Sequence, residues 1–264
     1  MLNKRKKDDI LAALKKYQKK YLNGKTTELD ESGTRLMTNF FLAEILGFAP
    51  IDEIKTEYMI RGTYADYVIQ TKGVRNFLVE VKALSFNLSD KHLRQAINYG
   101  ANEGIEWALL TNGKNFEFYK ILFNKPIESK KVFSIDLSDP TASKDNAEIL
   151  QYLHRDSVTN KGLDLLWDKY IALDPANVAG LLYAPSVTNF IRRVLKKKYK
   201  IQFTTEEVTA AIDRIAYEVV QLDGIKPMKV RKSGKKKSLA AEASTAEQSL
   251  VPATIPDNPI VSTS

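Results

Sequence analysis

The amino-acid sequence predicts an α/β fold, with a mixed central sheet flanked by helices and a helical extension towards the C-terminal end. Two observations lead to this prediction. Between residues 27 and 140, a helical pattern is followed by extended segments, a second helical pattern and further extended segments. After about residue 140 the pattern changes to helices. A chain of 264 residues is long enough for one sizeable domain with an appendage.

Two helices are predicted before the first strand. Residues 3–22 place Ile10, Leu14 and Tyr17 on one side at helical spacing, with lysines on the opposite side. A second helix is predicted over residues 32–46, because apolar residues recur there with the same period. Glycine is favoured just after a helix, so Gly47 marks the end of this one.

The extended segments alternate apolar and polar residues or are rich in β-branched and aromatic residues. Strands are predicted at residues 54–60, 64–71, 76–84, 107–111, 115–121 and 130–137. Lys72-Gly73 is predicted as a turn, and Asn112-Gly113 is a strong hairpin signal. A helix is predicted over residues 90–103, between the third and fourth strands.

Composition divides the chain into four predicted segments. These are a basic N-terminal helix at 1–26, a core at 27–140, a helical C-terminal region at 141–224 and a disordered, basic, low-complexity tail at 225–264. Within the helical region, residues 186–200 and 204–222 predict two helices. Thr204 with Glu207 predicts a capping box at the start of the second.

The net charge of +8 is concentrated at the two ends of the chain. Residues 1–25 carry nine basic and two acidic side chains, or +7, and residues 226–264 carry seven and three, or +4. The remaining residues therefore carry 8 − 7 − 4 = −3. Basic ends suit attraction to phosphate, and they equally suit a role in solubility.

Several classes of protein are excluded by composition. The sequence has no apolar run long enough to span a bilayer and no apolar signal-peptide core, so we expect a cytoplasmic protein without a membrane partner. The absence of cysteine excludes disulfides and cysteine-ligated zinc.

Two charged residues in an apolar strand are the first indication of a site. In "FLVEVKAL", side chains alternate, so Glu80 and Lys82 share one face of the strand. Burying unlike charges is costly unless they are paired or used, and the bland alternative is a structural ion pair. Asp66, in "YADYVI" on the preceding strand, would lie near Glu80 across a short turn. Two close carboxylates favour a bound cation, and oxygen ligands suit Mg²⁺ or Mn²⁺.

This arrangement resembles the PD-(D/E)xK nuclease superfamily. Asp66 corresponds to the Asp of the motif, Glu80 and Lys82 correspond to (D/E)xK, and Ala65 stands where the motif has proline. The segment "LRQAINYGANEGIEWALLTNG" is similar to the N-terminal nuclease domain of type I restriction enzyme R subunits and to related stand-alone restriction endonucleases. The resemblance implies a restriction-endonuclease-like fold over residues 27–140.

The resemblance also implies roles for individual residues. Asp66 and Glu80 would ligate the metal, Lys82 would activate water or stabilise charge, and Gln95 would position the reacting groups. Tyr99, four residues after Gln95, lies on the same helical face and is expected near DNA or in the core. Glu31 either assists metal binding or is a helix N-terminal acid favoured by the dipole.

The predicted function is metal-dependent hydrolysis of DNA in restriction or defence, with a homodimer or a partner supplying target specificity. The alternative is a catalytically silent module of the same fold that binds nucleic acid or a protein. A basic helix supplies candidate DNA contacts or is simply a solvated face: Arg192, Arg193, Lys196 and Lys197. The sequence contains no G-x-x-x-x-G-K-[ST] phosphate loop, so DNA translocation by this chain is not expected.

Overall fold

One mixed sheet carries the predicted site residues Asp66, Glu80 and Lys82 or lies directly beside them. The computed structural model describes residues 2–24, 28–60 and 63–219. Within these ranges six strands form one sheet in the order of the sequence. They are β1 (Ile54–Ile60), β2 (Thr63–Thr71), β3 (Val74–Val81), β4 (Trp107–Thr111), β5 (Asn115–Leu122) and β6 (Glu128–Asp136). β3 and β4 are parallel and the other neighbours are antiparallel, which confirms the predicted mixed α/β sheet.

The parallel pair of strands requires a crossover, and the helix α3 (Asp90–Glu103) provides it. α3 ends at Gly104, whose φ of +67° is the left-handed conformation that glycine adopts without strain. Small residues bring the helix close to the sheet: Ala96 packs with Ala108 and Ile121. The crossover brings the carboxyl ends of β3 and β4 together.

The opposite face of the sheet is covered by helices from both ends of the described chain. These are α1 (Lys4–Tyr21), α2 (Glu31–Phe40) with its π-helical continuation (Phe41–Ile45), α4 (Ser143–Leu150), α5 (Arg155–Thr159) and α6 (Gly162–Ala172). Phe41 stacks on Phe116 with ring centroids 4.2 Å apart, and Tyr17 is fully buried beside them. This layer holds the larger part of the apolar core.

Three more helices follow, as the sequence predicted for the region after residue 140. They are α7 (Pro175–Leu181), α8 (Pro185–Tyr199) and α9 (Thr205–Asp213), and a π-helical turn (Arg214–Val219) extends α9. The capping box of Thr204 and Glu207 is confirmed, with both reciprocal hydrogen bonds formed. The predicted tail lies outside the described residues, and the four segment boundaries stay predictions. Among the described helices none combines the length and apolar character that a bilayer crossing needs.

The β2–β3 hairpin contains an irregularity close to the predicted site. Its turn, Lys72-Gly73, is confirmed, and both residues have positive φ, as this type of tight hairpin turn requires. Next to the turn Gln70 pairs with Arg75, but further along Ile69 pairs with Phe77. Asn76 is therefore an extra residue, and the hairpin contains a β-bulge.

Candidate active site

Asp66 and Glu80 lie side by side on adjacent strands. Tyr67 pairs with Val79, so continuing this register by one residue sets Asp66 directly opposite Glu80. Residues opposite each other in an antiparallel pair point to the same face. Asp66 is 7% exposed and Glu80 is 2% exposed. The structure thus brings together the two carboxylates that the sequence predicted to be neighbours.

Both acids line one cavity of about 310 Å³, which we call the site cavity. It lies between the N-terminal end of α2, the strands β1 to β3 and the helix α3. Its lining residues are Glu31, Arg35, Glu57, Tyr64, Ala65, Asp66, Glu80, Lys82 and Gln95.

Asp66 is held by one backbone and one side-chain donor. The Val81 N–H donates to its Oδ2 at 2.7 Å, which fixes the carboxylate against the end of β3. Its Oδ1 accepts from the guanidinium of Arg35 on α2, and this is a close ion pair. Because Arg35 supplies a positive charge at Asp66, the two buried acids are partly compensated by the protein itself.

Lys82 supplies the positive charge beside Glu80, as Arg35 does beside Asp66. The Lys82 Nζ donates to Glu80 Oε1 at 2.7 Å and lies 3.7 Å from Glu31 Oε2. Burial and the negative charge of Asp66 raise the pKa of Glu80 to about 7, although Lys82 acts in the opposite direction. Burial acts to lower the pKa of Lys82, but Glu80 and Glu31 outweigh it and the pKa of Lys82 is raised. Lys82 is therefore a cation at neutral pH.

Arg35 and Glu57 belong to the cavity and were missed by the sequence reasoning. The Arg35 guanidinium lies 3.5 Å from a carboxylate oxygen of Glu31 and 3.5 Å from one of Glu57. The spacing of four between Glu31 and Arg35 on one helix was a signal that could have been used. Glu57 gave no signal, because its contact follows from the pairing of β1 with β2.

Gln95 lines the cavity from α3 and is held by Tyr99. The Gln95 amide donates to the Tyr99 hydroxyl at 2.8 Å, so the predicted pair on one helical face is confirmed as a contact. Tyr99 is 5% exposed and packs with Ala65 and Leu78. This burial favours a role in positioning Gln95 over contact with DNA.

The basic residues of α8 do not line the site cavity. Arg192, Arg193 and Lys196 line a separate open groove with neutral neighbours, among them Asn189. Arg192 donates through Nε to the Phe203 carbonyl at 2.7 Å. Lys197 lies on the same helix and is exposed. Their role in DNA binding stays a prediction.

The sequence contains three triplets of the form acid-x-lysine, and the structure places them in different surroundings. Glu53, from the first, accepts from Arg155 Nε at 2.8 Å on both carboxylate oxygens, which is a structural ion pair. Glu128 and Lys130, from the third, are exposed on the strand β6. Within the described part of the chain, Glu80 is the triplet acid that lies beside a second buried carboxylate.

The donor chemistry of the cavity is compatible with a hard divalent cation. In the ranges described, no group of three His, Cys, Asp or Glu side chains is arranged to hold a metal ion. Mg²⁺ commonly uses one or two protein carboxylates and completes its coordination with water and substrate phosphate, so a set of only two buried carboxylates is chemically acceptable. The lining includes four carboxylates and two cations, which leaves a formal charge of −4 + 2 = −2 when all are ionised.

The mixed six-stranded sheet with helices on both faces agrees with the restriction-endonuclease-like fold expected from the sequence. Residues 36–131 match the family described as type I restriction enzyme R protein N terminus. This match confirms the predicted resemblance to the N-terminal part of type I restriction enzyme R subunits over that segment, which contains Asp66, Glu80, Lys82 and Gln95. It begins one residue after Arg35.

One solved structure aligns with much of the chain. The crystal structure of the type IIG restriction endonuclease BpuSI aligns with 84% of this chain at 18% identity and a TM-score of 0.30. The alignment covers 26% of that protein, so this chain spans about a quarter of its length. No curated protein matches the chain.

Proposed function

We propose that this protein is a metal-dependent endonuclease that hydrolyses DNA phosphodiester bonds, in restriction or defence against foreign DNA. The observation that carries the proposal is the pair of opposed, buried carboxylates with a lysine beside them. Such a pair is costly to fold unless its excess negative charge is used. The family match over residues 36–131 supports the assignment to restriction.

Asp66 and Glu80 would hold Mg²⁺ or Mn²⁺, and Glu31 lies close enough to Lys82 to remain a candidate third acid. When bound, the ion would supply Lewis-acid stabilisation of the phosphate and a more acidic water. The excess charge of the cavity is equal and opposite to that of a divalent cation. Burial and then the charge of Asp66 raise the pKa of Glu80, and the positive charge of Lys82 offsets them only in part.

Lys82 and Gln95 would act on the substrate side of the cavity. Lys82 is charged, so it would stabilise negative charge that develops on the phosphate rather than accept a proton from water. Gln95 uses one N–H on Tyr99 and has a second N–H and a carbonyl oxygen with which to orient water or substrate. Tyr99 would then fix the amide in its working orientation.

DNA would contact the protein beyond the cavity through basic surface. The α8 cluster of Arg192, Arg193, Lys196 and Lys197 would bind backbone phosphates without reading sequence. Replacing Lys196 and Lys197 with glutamine should reduce the salt dependence of DNA binding by roughly two phosphate contacts. An unchanged salt dependence would remove α8 from the interface.

The central experiment is nicking of supercoiled plasmid by the purified chain with Mg²⁺ or Mn²⁺. Asp66→Asn and Lys82→Met should each reduce cleavage at least about a hundredfold, because each removes a group at the reacting phosphate. Glu128→Gln and Lys130→Met are matched controls, since they change the same residue types in an exposed triplet and should cut normally. Equal cleavage by all five proteins would refute the proposal.

Cutting of both strands would require two sites or two visits, so a homodimer or a partner belongs to the same proposal.

A catalytically silent binding module is the second candidate, and the Arg35 contact favours it. A guanidinium already placed on Asp66 can serve as a permanent counter-ion, so the fold can be stable without a metal. Calorimetric titration with Mn²⁺ separates the two candidates. The endonuclease requires Mn²⁺ binding that is lost in Glu80→Ala, whereas a silent module needs no such binding.

A further inference from the structure

Arg35 is surrounded by acids from three different elements. Its guanidinium contacts Asp66 on β2 closely, and it lies 3.5 Å from Glu31 on its own helix and 3.5 Å from Glu57 on β1. The side chains of Glu31 and Glu57 are 43% and 74% exposed, whereas Asp66 is buried. The Arg35 guanidinium therefore has two solvent-facing carboxylates within reach, besides the buried carboxylate of Asp66 that it contacts.

The strand β1 is distorted where it presents Glu57 to this arginine. Thr56 pairs with Tyr67 and Tyr58 with Ala65, but the pairing is interrupted between them. Glu57 has a φ of +48°, a left-handed conformation that costs a non-glycine residue about 1 kcal/mol or more. The register sets Glu57, Asp66 and Glu80 in one row across three strands, and the strain is concentrated at the acid that faces Arg35.

The guanidinium is also incompletely bonded in its present position. The Nε of Arg35 is buried and has no hydrogen-bond partner among the described residues. A buried N–H without a partner normally indicates a site of strain or function. Arg35 thus gains its contact with Asp66 while leaving one of its own donors unsatisfied.

We propose that Arg35 is the resident counter-ion of Asp66 and competes with the divalent cation for this carboxylate. Metal binding displaces the guanidinium from Asp66 Oδ1 towards Glu31 and Glu57, which retain it at the edge of the cavity. Arg35 thereby sets the metal affinity of the site. This inference rests on the proposed metal-dependent function and adds to it a residue that tunes the metal affinity.

Competition and simple scaffolding predict opposite effects of removing the guanidinium. If Arg35 competes, Arg35→Gln makes the cavity more negative and leaves Asp66 free to bind the ion. If Arg35 only orients Asp66, the same change weakens metal binding because the carboxylate loses its support. The direction of the change in affinity therefore decides between the two.

The test is calorimetric titration of the full chain with Mn²⁺. Arg35→Gln should bind Mn²⁺ at least about tenfold more tightly than wild type, because one opposing charge is removed from within a few ångströms of the ion. Arg75→Gln is the matched control: it makes the same substitution at a surface arginine paired with Glu103, and its affinity should equal that of wild type. Arg35→Lys keeps the positive charge but loses the planar guanidinium that can make two parallel hydrogen bonds to a carboxylate. It should therefore show a smaller gain in Mn²⁺ affinity.

The outcomes separate this inference from the function on which it rests. Mn²⁺ binding by wild type with equal or weaker binding by both Arg35 variants overturns the inference and leaves the proposed function intact. Absence of Mn²⁺ binding by wild type overturns both. If Arg35→Gln does not fold, the charge-conserving lysine variant still gives the sign of the effect.

Discussion

Replacing Glu80 with glutamine should stabilise the metal-free protein at neutral and alkaline pH. In the folded chain the pKa of Glu80 is raised from its ordinary value of 4.5 to about 7, first by burial and then by the charge of Asp66. The difference of about 2.5 corresponds to roughly 3 kcal/mol at about 1.4 kcal/mol for each tenfold change in proton affinity. The glutamine side chain would still accept a hydrogen bond from Lys82 but without charge, so we expect a net gain of about 2 kcal/mol.

The sign of the pH dependence follows from where the proton is bound. Between pH 4.5 and about 7 the folded wild type retains the Glu80 proton that the unfolded chain has lost. The folded state therefore binds more protons, and Glu80 makes stability fall as the pH rises through this window. Above this pH window, the full cost of burying the ionised Glu80 carboxylate is present. The advantage of Glu80→Gln should be absent at about pH 4, grow through the window and level off above it.

Urea denaturation measured at several pH values in the presence of a chelator would test this expectation. Ionisable groups that do not interact with Glu80 cancel in the difference between variant and wild type at each pH. Glu128→Gln removes an exposed strand acid and serves as the control, with a difference that should stay flat. A difference for Glu80→Gln that does not change with pH, or a variant less stable than wild type at pH 8, would refute the reasoning.

Three further substitutions have defined expected outcomes. Gly100→Ala should lower the free energy of unfolding by about 1–3 kcal/mol in denaturant titration, because the added Cβ would meet the Ile105 carbonyl oxygen at 2.6 Å. Arg155→Met should cost about 2 kcal/mol in the same assay, since Glu53 is only 6% exposed and would lose its cation; unchanged stability would contradict this. Gln95→Ala should lower the plasmid cleavage rate about tenfold with little effect on unfolding, and a loss of stability instead would indicate a structural role.

Much of the fold and part of the site could be predicted from local patterns. Alternation along β3 and the Lys72-Gly73 turn predicted that Asp66 and Glu80 lie near each other, but they did not fix that both side chains share one face. Periodicity gave the helix α3, so the Gln95 and Tyr99 contact followed from a spacing of four. These inferences succeeded because each depends on residues close in sequence or separated by one tight turn.

Glu57 and the contact of Arg35 with Asp66 could not be identified in this way. Arg35 lies on a helix whose amphipathic pattern gives no reason to expect a buried contact, and its partner Asp66 is thirty-one residues away. The contact of Glu57 depends on a left-handed backbone conformation that nothing in its neighbours requires. Side chains that meet across three elements are set by packing, which a single sequence does not display.

The bulge at Asn76 determines whether the side chains of Asp66 and Glu80 point to the same face of the sheet. With the pairing that holds beside the turn, Gln70 with Arg75, Asp66 would fall opposite Val79, and its side chain and that of Glu80 would point to opposite faces of the sheet. The extra residue, Asn76, shifts the pairing by one position, so that Asp66 lies opposite Glu80. Deleting Asn76 should therefore leave a hairpin but divide the acid pair between the two sides of the sheet, so a chemically complete set of residues depends on a single position outside the cavity.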